Sequence, residues 1–188
     1  AIFANASPVI EEDGANFAGH NTLVRAIKSI SIGIGGDSII SVQNGKVLVG
    51  PERLGPCMAL GGLQPTLMDA FNFVGASKHG DLAASQMGIK ALAKKYCMQD
   101  NKLAEEAIVF ACAEIKLAVE QLLKEINTKP VYTIRELLHR QEISPQQIFI
   151  MGGPAEIFKP YLCQTFQQDV ILPPQHSVAN AIGAALAR

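Results

Sequence analysis

Runs of basic residues are missing from this sequence, and so is any interleaving of aromatic with basic side chains. Its 16 lysines and arginines are offset by 17 aspartates and glutamates. A balanced, unclustered charge gives no electrostatic footprint for a polyanion, so nucleic acid and anionic lipid are excluded as principal partners. No apolar stretch reaches the roughly 20 residues that a membrane-spanning helix requires, and no membrane association is expected. No basic N-terminal region leads into an apolar run, so no secretory leader is read. The four cysteines, Cys57, Cys97, Cys112 and Cys163, form no C-x-x-C pair and have no histidine at ligand spacing. That speaks against a zinc knuckle or a redox dithiol. Cys112 and Cys163 lie in helical apolar patterns and read as small core residues. Reduced thiols of a cytoplasmic protein fit this scatter best.

What is present is a large apolar fraction, 48% of 188 residues, ample for one domain or one lobe of a larger fold. The chain opens on Ala1 rather than Met and enters on an irregular segment. Residues 1–19 are therefore expected to be left from a missing lobe, with a single lobe over residues 20–188.

The periodicity predicts a short helix over Asn21–Lys28, with Leu23, Val24 and Ile27 on one side. The period then changes to two: Ile30, Ile32 and Ile34 alternate with Ser29, Ser31 and Gly33, the pattern of a half-buried strand. Strands follow over Ser38–Gln43 and Lys46–Val49, joined at Asn44-Gly45, the strongest short hairpin signal. After a Gly- and Pro-rich loop, Pro51–Gln64, helices are predicted over Thr66–Val74, Asp81–Tyr96 and Lys102–Ile126. A short helix over Thr133–Arg140 precedes a strand over Gln147–Met151, a helix over Ala155–Gln167, a strand over Val170–Leu172 and a helix over Ser177–Ala187. A three-stranded antiparallel meander followed by two strand–helix crossovers gives an α/β fold with a mixed five-stranded sheet, its two later strands parallel. That order is the unit of the actin/Hsp70-like, ribonuclease H-like ATPase lobe; on its own it does not establish function.

Three constellations can carry chemistry. The first is Gly33-Ile34-Gly35-Gly36-Asp37-Ser38. Glycines without Cβ let backbone N–H groups approach phosphate oxygens, and Ser38 adds a hydroxyl. Asp37 beside a phosphate is repulsive unless a Mg²⁺ ion lies between them or the carboxylate orients a water, so its presence implies a metal–nucleotide complex. The alternative is a tight hairpin in which Gly and Asp only satisfy turn geometry. The second is Gly152-Gly153-Pro154-Ala155-Glu156, an apolar strand turning into a helix with Pro154 at its first position. Such a helix start suits an anion, or ribose and adenine edges; it is equally an ordinary strand-to-helix turn. In the third, Gly50–Cys57, Arg53 is either a clamp for carboxylate or phosphate or a solvated loop arginine. Cys57 has no base placed near it and reads as structural. Thr66-x-x-Asp69 resembles a capping box. His20, His79, His139 and His176 read as surface or cap residues.

Taken in order, these segments resemble the hydantoinase/oxoprolinase family, of the hydantoin utilization protein A type. The resemblance is carried by Gly33–Ser38, Gly50–Pro56, and Gly61-Gly62-Leu63-Gln64-Pro65-Thr66-Leu67-Met68-Asp69-Ala70. It continues through Gly152–Ala155, Leu172-Pro173-Pro174 and Asn180–Ala185. It implies the C-terminal nucleotide-binding lobe of an ATP-dependent hydrolase of cyclic amides such as hydantoin or 5-oxoproline. ATP would phosphorylate the lactam or imide oxygen, making the ring carbonyl electrophilic enough for water. Gly35, Gly36 and Ser38 would match the second phosphate loop, with Asp37 acting through Mg²⁺ or water, and Gly152 and Gly153 the adenosine loop. Arg53 would clamp substrate or phosphate, and Asp69 is raised to a candidate acid of the active cleft. A hydantoinase B-type subunit is the implied partner. The family's D-x-G-G-T phosphate loop has no counterpart here, so this chain alone is expected to bind nucleotide weakly and to turn over nothing. A small-molecule kinase-like ATPase of the same fold and a non-catalytic interaction module are the competing readings.

Overall fold

A computed structural model of the chain describes residues 1–4, 7–11, 14, 16–17, 20–128 and 143–186. The chain divides into two units, Ala1–Ile32 with Ala118–Ser144, and Gly33–Leu117 with Pro145–Arg188.

Among the described residues of the first unit, two-residue strands pair antiparallel: β1 (Phe3–Ala4) with β2 (Ser7–Pro8), β3 (Ile10–Glu11) with β6 (Ala26–Ile27), and β4 (Asn16–Phe17) with β5 (His20–Asn21). The Lys28 ammonium bridges Glu11 at 2.7 Å and Glu125 at 3.1 Å. Glu11 first, then Glu125, raise the Lys28 pKa; Lys28 in turn holds Glu125 below its usual range. The helix expected over Asn21–Lys28 does not form. Among the described residues its apolar side is left uncovered, Leu23 being 98% and Val24 64% exposed, and a short helix without a buried face gains too little to nucleate.

The second unit carries the core. Asn44 (φ 51°) and Gly45 (φ 74°) both take left-handed backbone, as a two-residue hairpin turn requires. They join β7 (Ile40–Gln43) to β8 (Lys46–Val49), and the register sets Ile40 opposite Val49 and Val42 opposite Val47, all four buried. Helices follow: α1 (Leu67–Phe73), α2 (Leu82–Lys95) and α3 (Asp100–Asn127), whose last turns belong to the first unit. The predicted starts of α1 and α2 hold: Thr66 and Asp69 form a capping box, and the Asp81 carboxylate accepts the Ala83 and Ala84 amides. Strand β9 (Ile148–Phe149) runs parallel to β10 (Val170–Ile171), with α4 (Ala155–Phe166) as the crossover; α5 (Ala179–Leu186) closes the chain after a 3₁₀ turn at His176–Val178. Leu103, Ala104, Ala107, Ile108 and Ala111 of α3 pack with Leu67 and Phe71 of α1, Ile89 of α2 and Phe158 and Leu162 of α4 in one apolar cluster. Phe71 meets the Phe158 ring edge-on at 4.9 Å.

The five-stranded sheet is corrected. Among the described residues the strands form separate two-stranded pairings, and Ser29–Ile34 is not a strand. The cause is local competition. Ile39 is bonded on one side to Gly50 and Glu52, while on the other Ile40 donates to the Pro65 carbonyl and Leu67 donates to that of Ser38. The edge on which a first meander strand would pair is thus taken by the entry to α1. The helix expected over Thr133–Arg140 lies outside the described residues. Among the described residues no helix is long and apolar enough to cross a membrane.

Candidate functional site

The first glycine corner is closed by its own serine. Ser38 is fully buried; its hydroxyl donates to the Gly33 carbonyl at 3.0 Å and accepts from the Gly35 amide at 2.9 Å. A Cβ on Gly33 would collide with Pro51, and one on Gly50, at φ 64°, with the Gly33 carbonyl. Those two glycines are needed for the loops to touch. Across the face of Gly35 the structure brings Asp37 and Arg53 together, Nε to Oδ1 at 3.4 Å, each side chain about half exposed at 47% and 48%. A pair so exposed contributes about 0–1 kcal/mol, so both groups can be recruited by a ligand at little cost.

Gly36 leads to the second corner. Its carbonyl accepts the Met68 amide at 2.8 Å, and a Cβ on Gly36 would lie 3.2 Å from the Met68 methyl. Met68 in turn lines a groove of about 400 Å³ together with Ser77, Lys78, His79, Gly153, Pro154 and Ile157. At its rim Gly152, at φ 119°, donates to the His176 carbonyl at 2.8 Å and accepts from Ala155 at 3.2 Å, turning β9 into α4. Side chains built on Gly152 and Gly153 would meet nothing within 4 Å, so this corner is open. Met68 therefore touches the first corner and shares a groove with the second. His176 sits near Glu156, Nε2 to Oε1 at 3.5 Å.

Asp69 is fully buried. Oδ1 accepts the Ala59 amide (3.0 Å) and the Ser85 hydroxyl (2.7 Å); Oδ2 accepts the Met58 amide (3.0 Å) and both the amide (2.9 Å) and hydroxyl (3.1 Å) of Thr66. The carboxylate thus caps α1 and clamps the 3₁₀ turn Met58–Leu60. Burial, and then the charge of Asp69, push the Cys57 thiol up, which keeps it protonated and supports its structural reading. Among the described residues no group of three or more His, Cys, Asp and Glu is arranged to hold a metal ion.

Sequence reasoning missed the wall Ser77-Lys78-His79, reading His79 as a surface or cap residue. The one available signal was polar and basic side chains between Gly75 and Gly80, in the connection from α1 to α2. No match to the chain is found among curated proteins. The hydantoinase/oxoprolinase family model matches residues 3–188, and the chain belongs to that family, whose function is of the cyclic-amide hydrolase type.

Proposed function

We propose that the chain binds ATP along the line from Gly153 past Met68 to Gly36, and that ATP consumption drives the opening of a cyclic amide. The observation that carries this reading is Met68, bonded to Gly36 and lining the groove with Gly153. The adenosine lies in the groove against Gly152, Gly153 and Pro154, with Ser77–His79 opposite. The phosphates extend toward Gly35 and Gly36, whose loop Ser38 shapes from within. Arg53, released from its exposed pairing with Asp37, engages a phosphate, or the carboxylate of an acceptor that carries one, as 5-oxoproline does. Asp37, a single half-exposed carboxylate, suits a Mg²⁺ ion held chiefly by the phosphates and reached through water, since Mg²⁺ keeps several waters. Bound there, the ion would neutralise phosphate charge. The acceptor is a ring such as hydantoin or 5-oxoproline. Its amide oxygen takes the γ-phosphoryl group with release of ADP, water adds to the carbon bearing that oxygen, and the ring C–N bond breaks. Hydrolysis of the resulting acyl phosphate releases inorganic phosphate. A hydantoinase B-type subunit is the partner proposed to complete that site.

The test is ATP consumption and product analysis with cyclic amides in the full-length protein that carries this lobe, compared with the same protein bearing Asp37→Ala. A fall of about 10²-fold is expected; unchanged consumption removes Asp37 from the mechanism. A phosphorylated acceptor in place of an opened ring identifies a kinase. Absence of any ATP-dependent thermal shift points to a non-catalytic module.

A further inference from the structure

The loop Ser77–His79, which lines the groove, is tied down by a hydrogen-bond chain that the proposed chemistry does not use. Asn72, 6% exposed, holds both backbone polar groups of His79: its Oδ1 accepts the His79 amide at 3.0 Å, and its Nδ2 donates to the His79 carbonyl at 2.8 Å. The second Nδ2 hydrogen goes to the Ser85 hydroxyl oxygen at 2.9 Å, and Ser85 donates to Asp69 Oδ1 at 2.7 Å. The direction of every bond follows from Asp69. Its carboxylate only accepts, so Ser85 must donate to it; the Ser85 oxygen is then left to accept, so Asn72 must turn its NH₂ toward Ser85. That orientation alone lets the Asn72 amide match the His79 backbone donor to acceptor and acceptor to donor. The same carboxylate grips the Met58 and Ala59 amides, and the Ala59 carbonyl accepts the Asp81 amide at 2.8 Å, where the wall ends and α2 begins.

We infer that Asp69, Ser85 and Asn72 are positioning residues, a polarity relay that sets the Ser77–His79 wall at the spacing from Gly153 that a nucleoside requires. The inference rests on the groove being the nucleoside site, and its test separates the two. Binding of adenosine and of inorganic tripolyphosphate is measured by calorimetry for the whole chain and for the folded variants Ser85→Ala, Ser85→Thr, Asn72→Leu, Lys78→Ala and Gly153→Val.

Ser85→Ala, which removes two hydrogen bonds of the relay, and Asn72→Leu, which removes three, are each expected to weaken adenosine by at least about tenfold. Tripolyphosphate affinity stays within about twofold, and Ser85→Thr restores adenosine binding. General loosening would lower both affinities alike, and that outcome overturns the relay. Adenosine affinity unchanged in Ser85→Ala and Asn72→Leu, but lowered by Lys78→Ala or Gly153→Val, overturns the relay and leaves the groove assignment standing. If neither groove variant affects adenosine, the nucleoside reading and the relay fall together. Should Asn72→Leu not fold, Ser85→Ala, which removes one hydroxyl, decides the matter.

Discussion

Replacing Asp69 by Asn changes one atom and no shape, yet it should be among the most damaging substitutions in the chain. Every partner of the carboxylate is a donor: three backbone amides and two hydroxyls. An asparagine must point its NH₂ at one of the two positions. Set at Oδ2, it faces the Met58 and Thr66 amides and orphans both; set at Oδ1, it orphans Ala59 and forces Ser85 to reverse. The second is the cheaper. One buried N–H without a partner costs about 1–3 kcal/mol, and the bonds that remain lose their charge assistance. We therefore expect a loss of about 3 kcal/mol, which for a chain of this length lowers the melting temperature by roughly 6–12 °C. Thermal unfolding followed by circular dichroism measures it. A loss below about 1 kcal/mol would refute the claim that the carboxylate is saturated by its frame. ATP consumption by the same variant, measured well below its melting temperature, separates frame from chemistry. Abolished turnover with unchanged stability would make Asp69 an acid of the active cleft after all.

Other expectations are narrower. Asp81→Ala removes the cap on the Ala83 and Ala84 amides and should cost about 1 kcal/mol, with Asp81→Ser recovering most of it in denaturant titrations. The Lys28 bridge should make the first unit pH-sensitive at both ends. Glu125 is depressed below 4.5, so its contribution is present at neutral pH and is lost as pH falls through that lowered value. Lys28 is raised above 10.5, so its contribution is lost as pH rises through the raised value. Exchange protection of the Lys28 amide, which donates to Val9 at 2.7 Å, should be flat between those limits and fall outside them. Burial pushes the Cys112 thiol up to about 11 and raises Cys57 as well, whereas Cys97 is exposed. Alkylation of the native protein at pH 8, mapped by mass spectrometry, should label Cys97 long before the other two; early labelling of Cys57 would contradict its buried position.

Local signals were legible and non-local ones were not. Asn44-Gly45 announces its hairpin because both residues tolerate left-handed backbone. Asp81 and Thr66-x-x-Asp69 announce helix starts because a cap is a contact between near neighbours in sequence. The alternation Ile30, Ile32, Ile34 is as regular as that of a true strand. Its failure depends on Pro65 and Leu67 reaching back to Ile40 and Ser38, which no window of sequence contains. Likewise the two glycine corners are readable one at a time, but their common neighbour Met68 has no signature, and the pairing of Asp37 with Arg53 is visible only once the Gly33 and Gly50 loops are stacked.

The segment Pro65–Asn72 shows why a short motif can carry so much of the architecture. Thr66 is still extended and bridges Ile39, and the Pro65 carbonyl and Leu67 amide on either side of it complete the edge of residues 38–40. Helix α1 begins at Leu67, and from there each residue turns by about 100°. Met68 meets Gly36 and the groove, while Asp69 turns inward to the Met58–Leu60 turn. Three residues on, Asn72 returns to the face of Asp69, which is why the single hydroxyl of Ser85 can reach both. Moving the aspartate one position along the helix would break the cap and the relay together. The two steps from Thr66 to Asp69 and from Asp69 to Asn72, each about one helical turn, are therefore a geometric requirement that serves a loop, a helix start and a groove wall at once.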